Sequence, residues 1–97
     1  MYLRIHSSPK GEVIALCDAE LIGRKLAQGK IVLDLGKYAH FYQGKKVTGA
    51  EAAAALKGAQ NLNIVGKKSL SAARMAGLDV SAAISIDGVP HLQAYRI

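Results

Sequence analysis

The chain has 97 residues, of which 51% are hydrophobic and 21% charged, with a formal net charge of +6 and a single cysteine, Cys17. These values describe one folded domain over residues 1–97 and exclude a disordered polyelectrolyte, an internal disulfide framework and a membrane-spanning helix, since no apolar run approaches ~20 residues. The lone thiol, and an N-terminus without the basic-then-apolar layout of a secretory signal, make cytoplasm the expected setting.

Leu3 and Ile5 alternate with Tyr2, Arg4 and His6, the pattern of a half-exposed strand. A Ser-Ser-Pro-Lys-Gly turn leads into the continuous apolar run Val13-Ile14-Ala15-Leu16-Cys17, as expected of a strand covered on both faces, so the chain opens on a hairpin. Asp18 stands as the cap of a helix whose inner face would carry Ala19, Ile22 and Leu26 and which would end at Gly29. Ile31, Leu33 and Leu35 alternate as a further strand. Gly36 to Gly44 reads as a short strand or an ordered loop.

Thr48-Gly49-Ala50-Glu51 fits a capping box and opens a helix that runs to Leu56 and stops near Gly58. Leu62 to Val65 is a short strand, and Leu70, Ala73 and Ala76 mark the inner face of a helix closed by Gly77. Ala83 to Ile86 is a strand, Asp87-Gly88 is a hairpin turn, and the chain returns over Val89 to Tyr95. Pro90 cannot donate to a ladder, so this last strand is expected at an edge. The order predicts an α/β (α+β) domain, with a mixed sheet of about five to six strands, about three helices packed on it and a hairpin at each end.

The excess charge is not spread evenly. From Lys37 to Arg74 there are seven basic residues (Lys37, Lys45, Lys46, Lys57, Lys67, Lys68 and Arg74) against one acid, Glu51, and the rest of the chain sums to zero. Within this segment Lys37-Tyr38-Ala39-His40-Phe41-Tyr42 runs on to Lys45-Lys46, interleaving cations with three of the five aromatic residues. Bases stack on aromatic faces while lysines meet phosphates, so Lys37, Tyr38, Tyr42, Lys45 and Lys46 are candidates for contact with single-stranded RNA.

Gly66-Lys67-Lys68-Ser69 follows a strand and opens a helix, which suggests an anion site at the helix start. It is not a nucleotide-hydrolysing P-loop: that pattern needs glycine where Asn61 stands and Ser or Thr where Lys68 stands. His91 and Gln93 share one face of the last strand and, with Asp18, are candidates for surface recognition. Cys17 lies where a thiol nucleophile could sit, with His6, His40 or His91 as base, but no triad order or oxyanion motif accompanies it. Cys17, His40 and His91 lack the paired spacing of zinc ligands, and Asp34, Asp79 and Asp87 do not form a calcium loop, so neither metal nor cofactor is expected.

Four stretches in this order and spacing resemble an archaeal family known as domain of unknown function 424: Cys17 to Lys25, Phe41-Tyr42-Gln43-Gly44, Asn63-Ile64-Val65-Gly66 and Gly88 to Gln93. The likeness runs from Leu3 to Gln93 and implies a small α/β domain with a link to translation. Where it implies an acidic residue after Gly66, this chain has Lys67, which favours an anion over a metal at that point. The leading expectation is a non-enzymatic RNA- or ribosome-associated protein. Two other classes stay open: a small enzyme using Cys17 and a histidine, and an adaptor that binds another protein through the Pro90 strand.

Overall fold

The structure, a computed structural model, describes residues 1–95. Strands β1 (Tyr2–Ser8) and β2 (Gly11–Cys17) form the opening hairpin, followed by a single 3-10 turn at Ala19–Leu21. Next come β3 (Lys25–Gln28), β4 (Ile31–Asp34), the one-turn helix α1 (Ala39–Tyr42) and the two-residue strand β5 (Lys45–Lys46). Helix α2 (Gly49–Leu56), β6 (Leu62–Val65), α3 (Lys67–Met75), β7 (Ile84–Ile86) and β8 (Val89–Ala94) complete the order. The main sheet has six strands in the order β5-β1-β2-β6-β8-β7, with β3 and β4 forming a separate two-stranded sheet. The pair β2–β6 is parallel and the other pairs are antiparallel, so the sheet is mixed as the sequence predicts.

Strand alternation divides the core into two layers. Ile14, Leu16, Leu62, Ile64 and Leu92 point to the side where α2 and α3 lay down Ala52, Leu56, Leu70 and Ala73. Ala15, Cys17, Val65 and Ile86 point to the opposite side, which the β3–β4 hairpin and α1 cover with Leu26, Leu35 and Tyr42. The capping box is formed: the Thr48 hydroxyl accepts from the Glu51 amide at 3.2 Å and the Glu51 carboxylate from the Thr48 amide at 3.0 Å.

Three expectations are corrected. The segment after Asp18 is not a helix to Gly29; it makes one 3-10 turn and then pairs as a strand. Gly23 sits at φ +92°, where helical continuation is impossible, its amide donates to the Leu35 carbonyl, and Leu26 is buried opposite Leu33 in the β3–β4 ladder. The apolar positions that match a helical face serve a hairpin instead. The Gly36–Gly44 stretch contains α1 rather than a strand, and in the turn before it the Asp34 carboxylate accepts from the amides of Gly36 and Lys37.

The third correction concerns Pro90. Strand β8 lies between β6 and β7, and β7 is the edge. Pro90 is opposite Ser85, one step beyond the closing pair Ile86–Val89 of a two-residue turn, so its nitrogen faces away from β7. On that other side β6 has ended. Gly66 donates its amide to the Pro90 carbonyl, while the Gly66 carbonyl already accepts from the Leu70 amide of α3. No carbonyl is left waiting for the donor that proline lacks. An adaptor docking along a free Pro90 edge therefore has no edge to use.

Candidate aromatic and anion-contacting sites

On the sheet face covered by β3–β4 and α1, the cover is incomplete and leaves a hollow of about 270 Å³. Its floor comes from the register of β6 and β8, which sets Asn63 opposite Gln93 and, two positions along on the same face, diagonal to His91. The Asn63 side-chain oxygen accepts from the Tyr42 hydroxyl at 2.8 Å and from His91 Nε2 at 3.0 Å, and its amide nitrogen donates to the Tyr95 hydroxyl at 3.3 Å. An amide oxygen only accepts, so this arrangement fixes the His91 proton on Nε2. Burial lowers the His91 pKa and raises that of Tyr42, which keeps the imidazole neutral and the phenol protonated at neutral pH.

The walls are aromatic. Phe41 packs edge-on to Tyr42 with centroids 5.0 Å apart and stacks on His6 at 4.4 Å. Tyr38 and Tyr95 line the hollow yet remain 53% and 49% exposed, and the Lys37 ammonium lies 5.5 Å from the Tyr38 ring centroid. Helix α1 is fastened to β1 by Arg4, which donates to the His40 carbonyl at 2.6 Å, and by His6 Nε2, 2.8 Å from the Phe41 carbonyl oxygen. Exposed ring faces, a buried amide and imidazole, and the exposed amide of Gln93 converge on a space suited to one planar polar ring.

The start of α3 is built differently from the sequence reading. Asp18, buried and 51 residues away from Ser69, places its carboxylate there. It accepts from the Lys68 amide at 3.1 Å, the Ser69 amide at 2.8 Å and the Ser69 hydroxyl at 2.6 Å. Gly66, at φ +112°, lets the two segments meet, since a Cβ there would overlap the Asp18 carboxylate. The Lys68 and Ser69 amides and the Ser69 hydroxyl, donors that this stretch would offer to a phosphate, are thus bonded to the protein's own carboxylate. Lys68 also pairs with Glu20 at 3.3 Å on the exposed rim.

The structure brings together Tyr38, Tyr42, His91 and Gln93, two groups that the sequence separates by about half the chain. It does not bring the lysines to them as one patch. Lys45 and Lys46 are exposed on β5 at one edge of the sheet, and Lys67 and Lys68 are on α3 in the opposite layer. Asn63, Phe41, Tyr95 and Leu33 complete the hollow and are not among the site residues that the sequence suggests. Asn63 carries a legible signal: a polar residue inside Leu62-Asn63-Ile64-Val65, buried by its neighbours, must find hydrogen-bond partners.

Cys17 is fully buried, its thiol donates to the Asp18 carbonyl at 3.4 Å, and burial, followed by the Asp18 charge, pushes its pKa up to about 12. Val65 lies between Cys17 and His91 across the sheet, so two strand spacings, about 10 Å, separate their backbones, and the thiol's hydrogen bond goes to Asp18. A thiolate–imidazole pair does not form. Among the described residues no three His, Cys, Asp or Glu side chains gather as a metal-binding group, and no helix is long and apolar enough to cross a membrane.

Comparison with known proteins gives a family and a fold, not a function. The model for protein of unknown function (DUF424) matches residues 5–97. The crystal structure of an uncharacterized conserved protein from Methanopyrus kandleri is similar to this chain at a TM-score of 0.79 and 28% identity, covering 99% of this chain and 93% of that one. No curated protein matches.

Proposed function

The chain belongs to the family of proteins of unknown function DUF424, and from that premise we propose that it is a non-enzymatic, cytoplasmic module that binds single-stranded RNA, such as the unpaired segments of a ribosome. One observation carries the reading: Tyr38, Tyr95 and Gln93 are exposed around a hollow whose floor is the hydrogen-bonded Asn63–His91 pair. An unpaired base has the two properties this space addresses, a π-face for the tyrosines and a polar edge for amide and imidazole. Lys37, already beside Tyr38, stands where the phosphate attached to such a base would pass. The net charge of +6 favours the encounter with a polyanion.

The enzyme reading finds less support, because the thiol it needs is buried, protonated and bonded to the Asp18 carbonyl, while His91 Nε2 is bonded to Asn63. The test is equilibrium binding of labelled oligo(U) and oligo(A) at about 50 mM salt, where phosphate contacts are strongest. Tyr38→Ala should lower affinity about 5- to 100-fold, the range for losing one base–aromatic stack. Absence of binding by the wild-type protein, or equal binding by Tyr38→Ala, overturns the proposal.

A further inference from the structure

We infer that the groove between α3 and the β7–β8 hairpin is a second ligand site, one for an oligophosphate chain. The groove, about 400 Å³, lies on the opposite layer of the sheet from the aromatic hollow. One wall is the outward face of α3, which presents Lys67, Ser71 and Arg74. Ser85 and Gly88 of the hairpin form the other, with Leu70 and Pro90 beneath.

Three features single out this surface. Lys67 and Arg74 are seven residues apart on the helix, which sets the stems of two cations about 10 Å apart along one line. That span exceeds a single phosphate and suits two joined in a chain. Both side chains are uncommitted: among the described residues the one ion pair is Lys68–Glu20, in the adjoining hollow at the α3 start that Lys67 and Gly88 also line, and neither Lys67 nor Arg74 makes a side-chain hydrogen bond.

The third feature is that no carboxylate lines the groove. Asp18, which would repel an anion at this end of α3, is turned to the helix backbone, and Asp87 stands next to Gly88 in the turn without contributing to the lining. The Ser71 and Ser85 hydroxyls supply neutral donors between the cations, one from each wall. The α3 amide donors already held by Asp18 are not part of the site, so its affinity comes from side chains.

Phosphates in a row occur in an RNA backbone and in free inorganic oligophosphate, and two titrations separate the sources. In the first, sodium tripolyphosphate is added at about 50 mM salt to nitrogen-15-labelled protein. The amides of Ser71, Arg74, Ser85 and Gly88 should shift together, and Lys67→Glu/Arg74→Glu should weaken the binding at least about tenfold while leaving the rest of the spectrum in place. If these amides do not move in the wild-type protein, or move equally in the double variant, the groove is not a phosphate site. Lys67→Ala/Arg74→Ala repeats the comparison without reversing charge.

In the second titration, oligo(U) affinity is followed against salt. If the groove takes an RNA strand, the double alanine variant loses about 1.4 from the slope of log affinity on log salt. An unchanged slope alongside the tripolyphosphate loss assigns the groove to free oligophosphate. Tyr38→Ala is the control for the hollow: it lowers oligo(U) affinity and leaves the tripolyphosphate response intact, so failure at one site is read separately from failure at the other.

Discussion

Replacing Asp18 with alanine tests the most unusual junction in the fold. The carboxylate caps α3 from a distant segment through three hydrogen bonds, all charge-assisted and two of them to Ser69, which is fully buried. A local N-cap is worth about 0.5–2 kcal/mol, and leaving a buried donor without a partner costs about 1–3 kcal/mol. Removing this acceptor strands two donors on Ser69 and one on Lys68, so Asp18→Ala should destabilise by about 3–5 kcal/mol, against a total of about 5–15 kcal/mol for such a domain. At about 4–8 °C per kcal/mol the melting temperature should fall by about 12–40 °C. Asp18→Asn keeps a carbonyl oxygen and should lose much less. Sulfate should restore part of the stability of Asp18→Ala, because the vacated donors form an anion site that only the folded protein offers. Gly66→Ala should destabilise severely, and combining it with Asp18→Ala should be less than additive, since the overlapping carboxylate is then gone. Urea and thermal unfolding followed by circular dichroism measure all of this. If Asp18→Ala unfolds within about 1 kcal/mol of wild type, the carboxylate is not holding the helix and the reasoning fails.

Native Cys17 should react with thiol reagents at neutral pH orders of magnitude more slowly than the denatured protein, since its pKa of about 12 leaves almost no thiolate; rapid native labelling would contradict the burial. His91, lowered by burial, binds its proton less readily folded than unfolded. Stability should therefore be complete above the ordinary histidine value of about 6.5 and decline below it, by at most about 1.4 kcal/mol per pH unit for this one group. His91→Gln should flatten that decline in urea midpoints, and an unaltered acid limb would remove His91 as its source. Gln93→Glu should change the ratio of oligo(A) to oligo(U) affinity more than Tyr38→Ala does, because it alters a polar edge and not a stacking face.

Local patterning made much of the architecture legible. The strand at Tyr2–His6, the buried run ending at Cys17, the Thr48–Glu51 box and the Asp87-Gly88 turn each have a cause within a few residues, and each forms, although Ile5, expected on the inner face with Leu3, is exposed. The failures have causes far along the chain. Ala19, Ile22 and Leu26 satisfy a helical spacing, and only the pairing of Leu26 with Leu33 shows that the burial they need comes from a hairpin. Pro90 breaks the edge-strand rule because a carbonyl on Gly66 is engaged by α3, which no reading of the β8 sequence alone can show. Tyr38, Tyr42, His91 and Gln93 were identifiable as residue types worth attention, but their meeting depends on Asn63, whose three partners come from α1, β8 and the residue after it.

On the proposed function, the same long-range bonds separate two jobs that the sequence analysis assigns to one basic segment. Asp18 holds the Lys68 and Ser69 amides at the start of α3, so on the proposed reading contact with a phosphate there falls to side-chain cations such as Lys67 and Arg74. Interactions of that kind are weakened by salt and carry no information about bases. Discrimination needs groups fixed in orientation. In the hollow, Asn63 is held at its oxygen by Tyr42 and His91 and bonded at its nitrogen to Tyr95, which sets the floor, while the exposed Gln93 makes no side-chain hydrogen bond among the described residues. On the proposed function, affinity is then spread over the helix layer and the rim, and selectivity is concentrated in Gln93 working against a rigid floor. Strand β6 links the two: Asn63 faces the hollow, and Gly66, which follows the strand, gives Asp18 its place at α3.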